Sequence, residues 1–475
     1  MKLYKKVNDN PSIVWINEEV VTQRIDADYY HVNHIQKKKS DILMFKISGY
    51  CTLSKKRFNP GKYDKQHFKY IDISNVNINT GVFEYQTLNI NNAPSRARRK
   101  VNKNDIIVST VRPNRNAVSI INVEDDELVA STGFAVLECK RNIDNYYLFA
   151  VLKTDNIVSQ LVRKTSGGLY PAISEQDILD INIPIPSPEI QKYVGDKVRK
   201  AEELREEAKR LNTLCEEKMK AIFNVKEDEL LFNNNAGNAS LEYSNYPIIN
   251  FVIAKNINDR IDPKAYHPEL YNTLKKLKKS GIKTEKLRNL LKNYATGKSS
   301  SEYLENGIPI LMTKNIKNSY IDWNCKYVSK KSVNDDDLVK KEDVLITTYG
   351  GPSIGKVDIK FEENEAIFDY TIMKMRFEES CNPYFMTLLL RSKYIQNQLR
   401  YIIKGTTGIT FVIPNEILNI LIPVVDIGIQ SEIGLLFEKS LGCIKMSKQL
   451  IQEAKQEVED LVEGNFDMSK IKVNN

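Results

Sequence analysis

The densest run of chemistry-bearing side chains is arginine. Ser95–Lys100 reads SRARRK and Val111–Arg115 reads VRPNR, which places Arg96, Arg98, Arg99, Arg112 and Arg115 close together in the chain. A guanidinium neutralises a phosphate, and its fork of donors matches the O6/N7 edge of guanine. The same composition also suits a solvated loop, so the run alone points equally to nucleic acid and to plain surface. The formal charge of +8 and the pI near 8.8 favour a polyanion partner without proving one.

Other kinds of chemistry lack their residues. The six cysteines (Cys51, Cys139, Cys215, Cys325, Cys381, Cys443) are scattered and form no CxxC pair. Buried free thiols are the expectation. Four histidines (His31, His34, His67, His267) are too dispersed for a zinc cluster, so no metal site is expected. There is no GxxxxGK[ST] loop and no GxGxxG after a strand. Asn382–Tyr384 reads NPY, part of an amino-methyltransferase motif that carries a second proline missing here. No motif marks a nucleophile. Short magnesium-nuclease motifs are too degenerate to read either way.

The elements that would position such residues come from an internal repeat, the first thing to seek in a chain of 475 residues. RIDADYYH (Arg24–His31) matches RIDPKAYH (Arg260–His267) at an offset of 236 residues. KNDIIVST (Lys103–Thr110) matches KEDVLITT (Lys341–Thr348), and NYYLFAVLKT (Asn145–Thr154) matches PYFMTLLLRS (Pro383–Ser392), both at 238. ILDINIPIP (Ile178–Pro186) matches ILNILIPVV (Ile417–Val425) at 239. Four collinear matches at a nearly constant offset mean two copies of one unit of about 235 residues, too long for a solenoid repeat. Two copies of a binding domain suit a partner with two sites.

Each copy reads as mixed α/β followed by a helix. Strands are expected at His67–Ile73, Asp105–Thr110, Gly307–Thr313 and Asp343–Thr348 from β-branched runs with turn-rich flanks. Core helices are expected at the YLFAVLKT and FMTLLLRS segments. The proline breaks of DINIPIPSP and NILIPVVD end a strand and open the next helix.

The long helices that follow carry the strongest periodicity. Ile190, Val194, Lys197, Ala201, Leu204, Ala208, Leu211, Cys215, Lys218 and Ile222 step by fours and threes, a heptad seam. Ile429, Ile433, Leu436, Ser440, Cys443, Ser447, Leu450, Ala454, Glu457 and Leu461 repeat it 239 residues later. Small seam residues allow close approach. The expectation is an α/β chain in which two antiparallel coiled-coil helices, each of roughly 35 residues and about 50 Å, hold two α/β domains at opposite ends. The alternative is that each helix packs only on its own α/β part. The boundaries are 1–187 and 248–426 for the α/β domains, 188–225 and 427–464 for the helices, 226–247 for an Asn-rich linker and 465–475 for a tail. No apolar run reaches the roughly 18 residues of a membrane span, and MKLYKKVNDNPSIVW lacks a signal-peptide core, so a cytoplasmic protein without membrane contact is expected.

In this order the landmarks resemble the specificity subunit of type I restriction–modification systems, from Val20 to about Gly464. They are the polar loops SGYCTLSKK (Ser48–Lys56) and ATGKSSSEY (Ala295–Tyr303), the strands YIDISNV and ILMTKNI, and then NDIIVST and EDVLITT. The glycine-containing loops TSGGLYPAIS (Thr165–Ser174) and KGTTGITFVIP (Lys404–Pro414) follow, and then the segments leading into the long helices. The resemblance implies two target-recognition domains, each reading a short half-site of double-stranded DNA. It implies spacer helices that set the gap and dock two methyltransferase subunits, which bind S-adenosylmethionine. A motor-nuclease subunit joins in restriction complexes. It also implies no catalytic residue and no cofactor on this chain. Two departures stand out: the first nineteen residues have no counterpart, and the arginine-rich insert faces a shorter, acidic Asp335–Lys340. The half-sites should therefore differ.

On that reading the DNA-contact candidates in the first domain are Arg96, Arg98, Arg99, Arg112 and Arg115, with Asn114 and Asn116 as adenine readers. Lys164, Ser166 and Gly167 would let a loop approach phosphate. In the second domain they are Lys298, Ser299, Ser300, Lys314, Tyr349, Lys404, Thr406 and Thr407. The repeated Tyr30 and Tyr266 are expected to pack. Two other classes stay open. A self-contained DNA methyltransferase or nuclease would modify or cut DNA alone, and a coiled-coil scaffold would show no salt-dependent DNA affinity.

Overall fold

The computed structural model describes residues 4–9, 12–16, 42–165, 171–223, 263–300, 302–330, 333–405 and 410–472. They fall into two compact units, Met1–Arg205 with Lys445–Asn475, and Glu206–Ile444. Each unit holds one α/β copy and one half of each long helix, Pro188–Phe223 and Ile427–Glu463.

In the first unit an antiparallel sheet runs Cys51–Leu53, Phe134–Cys139, Ile106–Ser109, Val118–Ile120. Ile106–Ser109 is buried throughout, which is why it reads as an apolar run and not as an alternation. The two-residue period sends Ile106 and Val108 into a core shared with the helices Asn145–Leu152 and Asp155–Arg163. Ile107 points the other way, into a core with Ile71, Leu128 and Ala130 of a second sheet. That sheet runs Gln86–Asn89, His67–Ile71, Leu128–Ser131, Ala97–Lys100, and its central pair is parallel. The layers are therefore helix, sheet, sheet.

The second unit repeats the plan. Leu291–Thr296, Ile372–Phe377, Val344–Thr347 and Val357–Ile359 form the inner sheet. Lys326–Val328, Ile308–Leu311 and Ile367–Phe368 form the outer one, again with a parallel pair. Val344 and Ile346 face the helix Pro383–Arg391, and Leu345 faces Leu311 and Phe368. The expected strands and core helices are all present. One difference is the arginine-rich segment. Ala97–Lys100 is an edge strand pairing with Leu128–Ser131, whereas its counterpart is the acidic turn Asp335–Asp337.

The long helices run antiparallel. Lys197 Nζ meets Glu453 at 3.0 Å and Glu457 at 3.2 Å in the first unit. In the second, Lys218 Nζ meets Glu432 at 2.7 Å, and Ser440 Oγ donates to the Ala208 carbonyl at 3.1 Å. The buried stripe is wider than a heptad seam, because each helix also covers its own α/β core. Ile190, Val194, Ala201, Ala208, Leu211, Ile433, Ala454 and Leu461 are buried, and Leu436 and Leu450 are partly buried against the cores. Val198 and Met219 take the buried places expected for Lys197 and Lys218, as a 3.6-residue period requires. Two expectations are corrected. Leu204 is only half-buried, and Ile429 is 41 % exposed because the neighbouring Gln430 turns inward in its place. No described helix is long and apolar enough to cross a membrane.

Candidate nucleic-acid interface

In each unit the chain leaves the inner sheet through a threonine that pins two loops together. Thr110 N and Oγ1 both donate to the Gly133 carbonyl, at 2.8 and 3.0 Å, while the Thr110 carbonyl accepts from Ile173 N at 2.9 Å. Thr348 N and Oγ1 donate to the Thr371 carbonyl at 2.8 and 3.1 Å, and the Thr348 carbonyl accepts from Val412 N at 2.9 Å. The turn after the strand is thereby held against the segment that follows the glycine-containing loop. Arg112 N donates to Pro171 O at 2.8 Å, and Gly350 N to Thr410 O at 3.3 Å.

The two turns share a backbone but carry different side chains. A left-handed residue opens a 3-10 turn in both: Arg112 (φ 50°) before Pro113–Arg115, and Gly350 (φ 102°) before Gly351–Ser353. Asn114 and Arg115 are exposed at the tip. Asn116 is turned inward, a correction to its place among the adenine readers. Its Nδ2 donates to the Lys153 carbonyl at 3.1 Å and its Oδ1 is buried. In the second unit Tyr349 stacks on Phe411 (5.4 Å, 17°) and meets the half-exposed Tyr370 edge-on (5.5 Å, 74°). Lys314 is exposed on the adjacent turn Thr313–Asn315, which Thr313 Oγ1 joins to Thr371 Oγ1 at 2.8 Å.

The arginine-rich segment, a turn and the strand Ala97–Lys100, divides by exposure. Arg96 is exposed. Arg98 is half-buried and its Nη1 donates to the Ala97 carbonyl at 2.7 Å. Arg99 is largely buried and ion-paired to Glu175, and burial together with the nearby Arg57 lowers its pKa. It clamps the strand to the helix Glu175–Leu179 and is not placed to meet a phosphate, a second correction. Lys164 lies 3.8 Å from Asp177, Lys298 pairs with Asp337 at 2.8 Å and Lys404 with Glu416 at 3.0 Å. Exposed pairs of this kind are weak, and a phosphate can replace the carboxylate. Ser299 is exposed, and Ser300 Oγ donates to the Glu302 carbonyl at 2.8 Å. Ser166, Gly167, Thr406, Thr407, Tyr30 and His31 lie outside the described residues. His267 accepts from Glu269 N at 3.3 Å as a helix cap, and Tyr401 stacks on its ring at 4.6 Å.

Sequence reading missed the polar groups that hold this frame, although the repeat offset marks them. Gln191 Oε1 accepts from Asp144 N at 3.1 Å and Gln430 Oε1 from Asn382 N at 2.9 Å, fixing each long helix to the cap of a core helix. Gln160 exchanges two bonds with Asn182, both at 2.8 Å, and Gln398 exchanges two with Leu421 at 2.8 and 2.9 Å. Asp105 and Asp343 each accept from the backbone three residues earlier, at 2.8 and 2.7 Å. Burial raises both carboxyls, Asp105 to about 6. Lys153 and Arg391 are buried cations at equivalent places. Lys153 Nζ donates to the carbonyls of Ile78 and Asn116 at 2.6 and 2.9 Å, and Arg391 pairs with Asp358 at 2.6 Å. Among the described residues no group of acids, histidines and cysteines could hold a metal ion.

The family profile described as "Type I restriction modification DNA specificity domain" matches residues 36–216. The specificity subunit of the type I restriction enzyme HindI of Haemophilus influenzae is 24% identical over 149 residues, 31% of this chain and 32% of that protein. The MjaIX specificity subunit of Methanocaldococcus jannaschii is 22% identical over 305 residues, 62% of each chain. The matches thus span about a third and about three fifths of these relatives. Among solved structures, the HsdS subunit from Thermoanaerobacter tengcongensis aligns over 91% of this chain and 99% of its own at 18% identity and TM-score 0.34. The type I S subunit from M. genitalium aligns over 91% and 98% at 14% identity and TM-score 0.46. Residues 36–216 are thus similar to the type I restriction modification DNA specificity domain, the family that the order of the motifs resembles.

Proposed function

We propose that the chain is a non-catalytic DNA specificity subunit that reads a bipartite, asymmetric target in double-stranded DNA. It positions two methyltransferase subunits there, with motor-nuclease subunits joining in restriction complexes. The observation that carries this reading is one hydrogen-bonded frame built twice, with different side chains at the same place. An Arg-Pro-Asn-Arg turn tops one copy, and Gly-Gly-Pro-Ser beside Tyr349 and Lys314 tops the other. Equal frames suit two half-sites, and unequal tips suit two different base sequences, since arginine and asparagine discriminate base edges that glycine does not. The chemistry belongs to the partners in this reading. S-adenosylmethionine is bound by the methyltransferase, and the complex works in the cytoplasm.

The test is the methylome of cells carrying the chain and its partner methyltransferase, with and without a deletion of this chain. Loss of methylation at one bipartite, asymmetric motif is expected. Unchanged methylation, together with modification or cleavage of DNA by the purified chain alone, would overturn the reading in favour of an enzyme.

A further inference from the structure

Cys51 and Cys139 are direct cross-strand partners in the first unit's inner sheet. The hydrogen bonds on either side define the pair. Lys140 N donates to Tyr50 O at 2.8 Å and Ser54 N to Val136 O at 2.9 Å. Positions 50/140 and 54/136 are therefore hydrogen-bonded sites, and 51/139 is a non-hydrogen-bonded site. At such sites the Cα atoms approach to about 4.5 Å, inside the range of about 4.4–6.8 Å that a disulfide spans. The two Sγ atoms already stand 3.5 Å apart, and both thiols are free. Side-chain rotation alone closes the remaining distance to about 2.05 Å. Cys51 is 1 % exposed, whereas Cys139 is only half-buried, so a small oxidant reaches Cys139 first.

We propose that Cys51 and Cys139 form a reversible oxidation site that closes to a cross-strand disulfide on exposure to hydrogen peroxide. The Cys139 thiolate attacks one peroxide oxygen, the O–O bond breaks, and the departing hydroxide takes up a proton to leave as water. The resulting sulfenic acid is attacked by the Cys51 sulfur. The S–S bond forms, the S–O bond breaks, and the second water carries off the Cys51 proton. Two thiols and one peroxide thus give one disulfide and two waters. The hydrogen bond with Cys51, and burial after it, raise the pKa of the Cys139 thiol. The reaction is accordingly slow at neutral pH and speeds up as pH rises. The bond fastens the edge strand Cys51–Leu53 to the sheet, just before Ser54 and Lys56, which hold Glu138 at 2.9 and 3.3 Å. This site does not depend on the DNA-reading proposal.

The test treats the folded full-length chain with graded hydrogen peroxide, blocks remaining thiols by alkylation and maps the peptides by mass. The expected product is a peptide pair linked through Cys51 and Cys139, with loss of two of the six thiols, a melting temperature raised by several degrees and full reversal by dithiothreitol. Cys51→Ser and Cys139→Ser should each abolish the link and the shift. Accumulation of sulfinic acid on Cys139, a disulfide using any other cysteine, or two reduced thiols after the rest have reacted would each overturn the proposal. The wild-type map decides it even if a variant fails to fold.

Discussion

Arg112 occupies a left-handed backbone that its counterpart fills with glycine. The strain is about 1 kcal/mol for a residue with a Cβ, and glycine's extra chain entropy offsets a similar amount. Arg112→Gly should therefore leave stability within about 1 kcal/mol of the parent. On the proposed function, it should also lower discrimination at one base pair of the first half-site by about 1–3 kcal/mol in the reconstituted complex, read as methylation rates on singly substituted duplexes. Arg99→Ala should do the opposite. Unfolding should become easier by about 1–2 kcal/mol as Glu175 loses its partner, with the salt dependence of DNA binding unchanged. Lys153 supplies a pH test. Burial lowers its pKa to about 7, while in the unfolded chain it stays protonated to about 10.4. Between these values the unfolded state holds the extra proton, so stability rises with pH. Chemical denaturation of wild type from pH 7 to 10 should show that rise. Lys153→Met, though less stable overall because two carbonyls lose their donor, should show a flatter profile.

At the scale of the element, glycines within one helix have opposite meanings. A Cβ on Gly434 would stand 2.1 Å from Asn382 Oδ1, the cap of the core helix, whereas on Gly442 it would meet only Phe361 Cζ at 3.9 Å. Gly195 repeats the first case in the other long helix, at 2.7 Å from Asp144 Oδ1. Alanine is the better helix former by about 1 kcal/mol. Gly442→Ala should thus stabilise by up to about that amount. Gly434→Ala should destabilise by about 2 kcal/mol, because the cap is displaced and the contact overpacked. Urea melts of the two variants separate these outcomes, and equal effects would remove the close-approach role assigned to Gly434.

At the scale of the molecule, the C-terminal helix completes the first unit's core. The first unit takes Lys445–Asn475 from the far end of the sequence. Ile451, Ala454, Val458 and Leu461 join Ile190, Val194, Val198 and Ala201 in its core, and Lys470 holds Glu457 at 3.0 Å. Truncation after Ile444 should therefore unfold the first unit while a cooperative transition of the second survives. Differential scanning calorimetry should show one transition lost and the other kept. Two intact transitions would mean that the first unit is complete without the C-terminal helix.

The sequence by itself determined the duplication, through collinear matches at a nearly constant offset, and the expected strands, core helices and long helices, because these follow from local period. Apolar runs at Ile106–Ser109 and Val344–Thr347 read as buried strands wherever they sit. The repeat offset also carried the paired glutamines Gln191 and Gln430, although only their hydrogen bonds gave them meaning. Tertiary structure alone decided which arginine faces solvent. Arg96 and Arg99 share one short basic run, yet one is exposed and the other clamps Glu175, because Arg96 lies in the turn before the strand Ala97–Lys100 and Arg99 within it. It also decided that Asn116 turns in, that Ile429 turns out, and that Cys51 meets Cys139. Asn116, Cys51 and the Gln430 that displaces Ile429 each meet a partner many residues away, and no local pattern encodes it.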